Sequence, residues 1–248
     1  MKQAFLVPLY NHGKTMYSLA AALVQYKIPI IIVDDGSNRE TKDALAKVPA
    51  AFPQVTLVTL KKNSGKGAAI FAGLEKAKEM GISHVLQIDA DGQHDAERAA
   101  FFLEASERQP EAAVCGFPEY DESAPALRAK GRNIANTWAK IVTLSGGIAD
   151  SLCGFRVYPV EKTLAILQNC FFDKRMAFDP EILVRLSWAG VPLLFYSVKV
   201  SYPQDGISHF RMVKDNVRIS FMFTRLFFGM IFRLPILVFR KIKKRQRN

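Results

Sequence analysis

Cysteine is scarce in this chain, and its scarcity excludes several classes. Cys115, Cys153 and Cys170 are widely spaced, odd in number and without a CxxC pair. That set fits a reducing compartment and leaves no disulfide framework and no structural zinc. Histidine is also sparse, and no two of the four stand at ligand spacing. A GxxxxGK[ST] phosphate loop is missing. The opening MKQAFLVPLYNHG is no secretory signal, because its apolar stretch is short, broken by Pro8 and without a cleavage-like end. It reads better as a first buried strand. Disorder is excluded as well: 49% hydrophobic and 23% charged residues over 248 positions describe a packed globule of one large domain or two small ones.

Acidic residues are what the end of the chain lacks. From Arg211 onward it holds eleven of the 34 Lys/Arg but one of the 23 Asp/Glu, so that segment carries +10 of the net +11. The body is near neutral. A basic tail suits nucleic acid or anionic lipid, and the residues between the charges must separate the two.

The first half alternates strand and helix. AFLVPLY, IPIIIVDDGS, VTLVTL, HVLQIDAD and AAVCGF read as strands. Helices are expected at about 14–25, 39–46, 67–80 and up to about 107. Near-continuous apolar strands in a βαβ rhythm imply a parallel sheet buried on both faces. Ligands of such sheets bind beyond the carboxyl ends of the strands. Four polar clusters fall there: Pro8 to Asn11, Asp34 to Ser37, Asn63 to Gly67, and Asp89-Ala90-Asp91.

The last cluster poses the chemical question. On an extended chain, positions 89 and 91 share a face. Two carboxylates that close repel unless a cation or a proton lies between them. The plainer reading is a solvated Asp-Gly turn. An EF-hand loop does not fit, since Gly92 comes fourth rather than sixth. A dehalogenase-type phosphatase would carry Asp-x-Asp after its first strand, not its fourth. The Gly-rich turn at 63–67 can serve geometry alone, yet its amides and Lys66 also suit a phosphate.

PLYN (8–11), VDDGS (33–37), NSGKG (63–67), DADGQH (89–94), DSLCGFR (150–156), FDPEILVRL (178–186) and YPQDGISHFR (202–211) together resemble the family 2 glycosyltransferases, in particular the dolichol-phosphate mannose synthase-like branch. The resemblance covers most of the chain, to about Arg211. It implies an α/β GT-A fold with a mostly parallel central sheet flanked by helices. Residues 1–117 would bind the nucleotide sugar and 118–211 would build the acceptor side. Pro8, Tyr10, Asn11, Asp34 and Asp35 would hold the nucleoside. Gly65, Lys66, Ala90, Ser208 and His209 would lie along the donor. Asp89 and Asp91, with Gln93 as a further ligand, would hold Mg²⁺ or Mn²⁺ on the diphosphate. Arg156 would lie near the phosphates. Two positions depart from the family pattern: His12 stands where Glu is usual, and His209 where Lys is common.

The implied activity is inverting sugar transfer. A divalent cation stabilises the departing diphosphate as a Lewis acid, and the sugar passes through an oxocarbenium-like state. A hydroxyl acceptor would want a general base, for which Asp150, Asp179 and Glu181 are candidates. Capping of a helix starting near Pro180 is the plainer role for the last two. A phosphate acceptor needs cations instead, and Arg128 and Arg132 stand where related enzymes place them, or else are solvated helix charges. Polyprenyl phosphate is the expected acceptor, with a hydroxyl on a lipid or lipid precursor next. An Asp-x-Asp phosphohydrolase and a non-catalytic nucleotide- or lipid-binding protein are the rivals from other classes.

In the segment 212–248, Phe, Leu, Ile and Val fill the spaces between bases. At about 100° per residue, Arg211, Lys214, Arg218, Arg225, Arg233, Arg240 and Lys243 form one stripe on an otherwise apolar wheel. That pattern describes a helix lying in a membrane interface, basic side toward headgroups, kinked at Pro235. A spanning helix would bury Arg225 and Arg233. RKIKKRQRN adds attraction to an anionic cytoplasmic leaflet. Nucleic acid would not need Phe221, Phe223, Phe227, Phe228 and Phe232, so it is set aside. An oligomer-contact helix is the remaining reading.

Overall fold

A computed structural model describes residues 1–91, 96–120, 126–200 and 211–245; the side chains of 96, 120, 126–130 and 244–245 lie outside the description. The expected Gln93, Ser208 and His209 also lie outside the described residues, as does the side chain of Arg128.

The chain runs β1 (Gln3–Leu9), α1 (Gly13–Val24), β2 (Ile30–Asp34), α2 (Arg39–Leu45), α3 (Val48–Ala51), β3 (Val55–Thr59) and α4 (Lys66–Glu79). It continues through β4 (His84–Gln87), a 3₁₀ turn, α5 (Ala99–Arg108), β5 (Ala113–Tyr120), α6 (Ala126–Thr143) and β6 (Arg156–Pro159). It ends with α7 (Val160–Gln168), α8 (Phe178–Ala189), β7 (Leu193–Val200) and α9 (Met212–Arg245).

The described strands form one sheet in the order β3-β2-β1-β4-β6-β5-β7. All neighbours are parallel except around β6, which runs antiparallel to β4 and β5. Alternation sorts the side chains between two cores. Ala4, Leu6, Ile31 and Val33 pack toward α4, α6, α7 and α8, while Phe5, Val7, Ile30 and Ile32 pack toward α1 and α5.

Register then brings the polar turns to one edge. Leu9 pairs with Asp34 and Asp34 with Thr59, so β1, β2 and β3 end level. β4 pairs Gln87 with Leu6 on one side and with Arg156 on the other. Because β6 is antiparallel, the 150–155 segment that precedes it arrives at that same edge. Two differences from the sequence reading matter here. β4 stops at Gln87, so Asp89 and Asp91 sit on the turn beyond the strand rather than on one face of it. β6 and β7 had no counterpart among the expected strands.

The tail forms a single long helix that docks on α6 and α8. Met222, Phe223, Leu226, Met230 and Leu237 are buried in the core on that side. Trp138 of α6 stacks on Phe223, with ring centroids 6.4 Å apart, and meets Phe227 edge-on. Arg211, Lys214, Arg233, Arg240 and Lys243 of the basic stripe are exposed, but three members of the stripe also reach the body. Arg225 donates to the buried Glu181 at 2.6 Å, Arg233 lies 4.6 Å over the Trp188 ring, and Arg240 donates to the Trp188 carbonyl at 2.6 Å. The last contact sits at the carboxyl end of α8, where the helix dipole favours a cation. Part of the apolar surface stays exposed as well: Phe221, Phe228, Phe232, Ile236 and Phe239 all face outward. A buried carboxylate on α8 turns Arg225 toward the protein, and no helical wheel contains that information.

Candidate active site

The loops after β1 and β2 are stitched together by their own polar residues. Asn11, at φ 56°, donates its amide to Ser37 Oγ and accepts from the Asn38 amide. Asp34 Oδ1 accepts from the Ser37 amide at 2.9 Å. Pro8 is buried and Tyr10 half-buried beside them. Thr15 Oγ1 donates to the Ala90 carbonyl at 2.7 Å, tying the start of α1 to the turn after β4.

Asp35 spans to the next cluster. Its two oxygens accept from the Ser64 and Gly65 amides, each at 2.7 Å. Burial pushes its carboxyl above the usual range, against the pull of those two amides. The clamp fixes the turn into α4. Gly65 has φ 105°, and a Cβ there would collide with the Lys174 carbonyl. Lys66, the first residue of α4, therefore points inward across the edge of the sheet.

Lys66 joins residues from three parts of the chain. Its Nζ lies 2.8 Å and 2.9 Å from the two oxygens of Asp89, and 2.7 Å from Asp179 Oδ2. Burial alone would lower its pKa, but Asp179 and Asp89 outweigh that and hold the ammonium well above the ordinary amine range. Gln87 Nε2 sits between the same carboxylates, 3.3 Å from Asp89 and 3.4 Å from Asp179. Gln87 Oε1 accepts from Tyr158 at 3.2 Å. Gly154 closes the cluster: a Cβ there would fall 2.6 Å from Asp89 Oδ2 and 2.8 Å from Lys66 Nζ.

Three expected roles change with this geometry. Arg156 is fully buried, and its guanidinium donates to the carbonyls of Asp179 (3.0 Å) and Cys153 (3.1 Å). It supports the site from beneath instead of reaching toward phosphates. Asp150 is 2% exposed, and its oxygens accept from the Leu152 and Cys153 amides and from Arg132 at 2.6 Å. A carboxylate so committed orders the 150–155 turn and is poorly placed to act as a base. Glu181 carries the tail. Neither Asp179 nor Glu181 caps α8, whose first turn has no side-chain cap.

Gln87 and Tyr158 were not singled out from the sequence. The available signal was a lone polar side chain, Gln87, within an apolar strand. For a divalent cation the donor set is chemically suitable: Asp89 and Asp91 offer hard oxygens on one turn. The ammonium already seated on Asp89 shows that this position favours a positive charge. Among the described residues no group of three or more His, Cys, Asp or Glu could hold a metal alone.

A family model described as Glycosyl transferase family 2 matches residues 4–164. This chain belongs to that family. A dolichyl-phosphate beta-glucosyltransferase from Dictyostelium discoideum is 30% identical over 250 residues, covering 88% of this chain and 73% of that protein. A polyprenol monophosphomannose synthase from Mycolicibacterium smegmatis is 25% identical over 222 residues, covering 86% and 82%. Against three further dolichyl-phosphate beta-glucosyltransferases, the chain spans 58% to 60% of their length. Among solved structures, a Mycobacterium tuberculosis glucosyl-3-phosphoglycerate synthase in complex with Mn²⁺, UDP-glucose and phosphoglyceric acid aligns with a TM-score of 0.66. It is 13% identical, over 91% of this chain and 79% of that one, which establishes a shared GT-A fold.

Proposed function

We propose that this family 2 glycosyltransferase moves a sugar from a nucleotide sugar to polyprenyl phosphate at a membrane surface, with Mg²⁺ or Mn²⁺ on the donor diphosphate. Two relatives carry names with dolichyl-phosphate or polyprenol as the acceptor. The observation that carries the acceptor class is the state of the candidate bases. Asp150 is held by Arg132 and two amides, Glu181 by Arg185 and Arg225, and Asp179 by Lys66. A hydroxyl acceptor would need one of them as a base. A phosphate acceptor arrives already anionic and needs none.

In this reading Pro8, Tyr10, Asn11, Asp34 and Asp35 border the nucleoside. Asp89 and Asp91 would hold the cation, which when bound would supply Lewis-acid stabilisation of the departing diphosphate. Lys66 adds a positive charge beside the leaving group. An acceptor phosphate oxygen attacks the anomeric carbon from the opposite face, the bond to the diphosphate breaks, and the anomeric centre inverts. Arg132 stands next to Asp150 on the acceptor side, with Arg128 one turn earlier in α6.

The in-plane reading of the tail has its own support. Contacts with the body run from Arg218, which reaches Asp173, to Arg240, about 33 Å of helix at about 1.5 Å per residue. α9 is long and apolar enough to cross a membrane, but a helix bound to the body over that distance lies along it. Its exposed apolar side would rest in the cytoplasmic leaflet, with RKIKKRQRN at the anionic headgroups.

The test is transfer of radiolabelled sugar into an organic-extractable fraction, using purified protein, anionic vesicles with polyprenyl phosphate, Mn²⁺ or Mg²⁺, and a panel of UDP- and GDP-sugars. One donor should label the lipid, and Asp91→Asn should lower the rate at least about a hundredfold. Transfer only to a lipid hydroxyl would overturn the acceptor. Release of free phosphate without transfer would favour a phosphohydrolase.

A further inference from the structure

The ammonium of Lys66 has three N–H donors, and three carboxylate oxygens stand within 2.9 Å of it. Two of them are the complete oxygen set of Asp89. The side chain is 17% exposed and is fixed at its base by the Asp35 clamp on the Ser64 and Gly65 amides. For Asp89 to ligate a divalent cation, Lys66 must yield at least one oxygen. It would then stand within a few ångströms of a doubly charged ion, where like charges repel strongly in a partly buried setting. Asp179 supplies one negative charge to offset this, whereas a nucleoside diphosphate supplies several.

From this geometry we infer that Lys66 is a built-in counter-cation that makes divalent-metal binding depend on the nucleotide. The chain alone binds the metal weakly, because the ammonium already occupies Asp89. The diphosphate restores the charge balance, draws Lys66 toward its oxygens and turns Asp89 toward the metal. Asp179 acts as a positioning residue that retains the ammonium while Asp89 changes partner. A Lys66 serving only as a phosphate contact would set nucleotide affinity and leave nucleotide-free metal binding unchanged. The inference rests on the metal-dependent reading above.

The experiment measures Mn²⁺ retained by the 248-residue chain on ultrafiltration, with and without UDP or GDP. Wild type, Lys66→Met, Lys66→Gln and Lys66→Arg are compared after melting curves confirm that each is folded. Lys66→Gln keeps hydrogen-bond donors without the charge, so it serves if Lys66→Met does not fold. Without nucleotide, the two neutral variants should bind Mn²⁺ about tenfold more tightly than wild type or better. They should also lose most of the gain that nucleotide confers, while Lys66→Arg stays close to wild type. If a folded neutral variant binds nucleotide-free Mn²⁺ no better than wild type, while wild type shows strong nucleotide-dependent binding, the role of Lys66 is refuted and the metal reading stands. If wild type retains no Mn²⁺ even with UDP or GDP, both fall.

Discussion

The contact between Arg225 and Glu181 should hold the tail on the body, and its strength can be worked from the structure. Glu181 is fully buried; its Oε1 accepts from Arg185 (2.6 Å) and Arg225 (2.6 Å), and its Oε2 from the Asp173 amide. Opposite unit charges about 4 Å apart attract by about 4 kcal/mol at an effective dielectric of about 20. Arg185 shares the same oxygen, and the Arg225 side chain is 27% exposed. Those two facts reduce the contribution of Arg225 to about 1–2 kcal/mol. Glu181→Gln is harsher, because it leaves two guanidiniums facing a neutral amide, and it should cost about 3–5 kcal/mol. Arg225→Met, Glu181→Gln and the double variant form a cycle, read by urea unfolding in mild detergent. The chain's two tryptophans suit the assay, since Trp138 touches Phe223 and Phe227 and Trp188 lies under Arg233. Undocking of α9 should change their fluorescence before the sheet unfolds. A coupling energy below about 0.5 kcal/mol, the usual limit for independent sites, would refute the anchoring role.

Three further outcomes follow from single positions. Gly154→Ala places a methyl 2.6 Å from Asp89 Oδ2 and 2.8 Å from Gln87 Nε2; turnover should fall at least about tenfold and stability by about 1–3 kcal/mol, and wild-type kinetics would show that Lys66 and Asp89 need not meet. In a thiol titration at pH 8, the native protein should release a single slow equivalent, from half-buried Cys170, because burial pushes Cys115 up to about 11 and Cys153 up to about 12; denaturant should release all three, and rapid reaction of two in the native state would contradict the packing. Phe232, 84% exposed, and Phe239 face away from the body, so Phe232→Asp and Phe239→Asp should each weaken sedimentation with anionic vesicles about tenfold or more; undiminished binding would give that face to a second copy of the chain.

Much of the sheet could be read from the sequence, because β1 to β5 are apolar runs whose burial is set by local composition. β6 could not. It is a four-residue strand opening on a fully buried arginine, and Arg156 is accommodated there because carbonyls from α8 and the 150–155 turn accept hydrogen bonds from its guanidinium. The individual members of the site were visible as polar residues at strand ends. Their partnerships were not, since Lys66 and Asp179 are far apart in sequence and no local period relates them. Asp150 and Arg132 read separately as a base and an acceptor contact, and only the fold shows that they pair with each other. A motif identifies which side chains are unusual for their element; which oxygen is already taken depends on tertiary contacts.

The same distinction explains the tail. Periodicity correctly placed its arginines on one stripe, but a stripe can face solvent, headgroups or protein. The fully buried carboxylate of Glu181 turns Arg225 toward the protein, because a charge there is tolerable only when paired, and α9 supplies one of its two partners. Glu181 lies two residues after Asp179 in the first turn of α8. Positions two apart on a helix point in nearly opposite directions. The short run Asp179-Pro180-Glu181 thus presents one carboxylate to Lys66 at the edge of the sheet and the other to the tail. A shift of α9 that moved Arg225 would act first on this turn of α8, two residues from Asp179, one of the carboxylates that hold Lys66. In this fold α9 and the Lys66 cluster are joined through a single turn of α8.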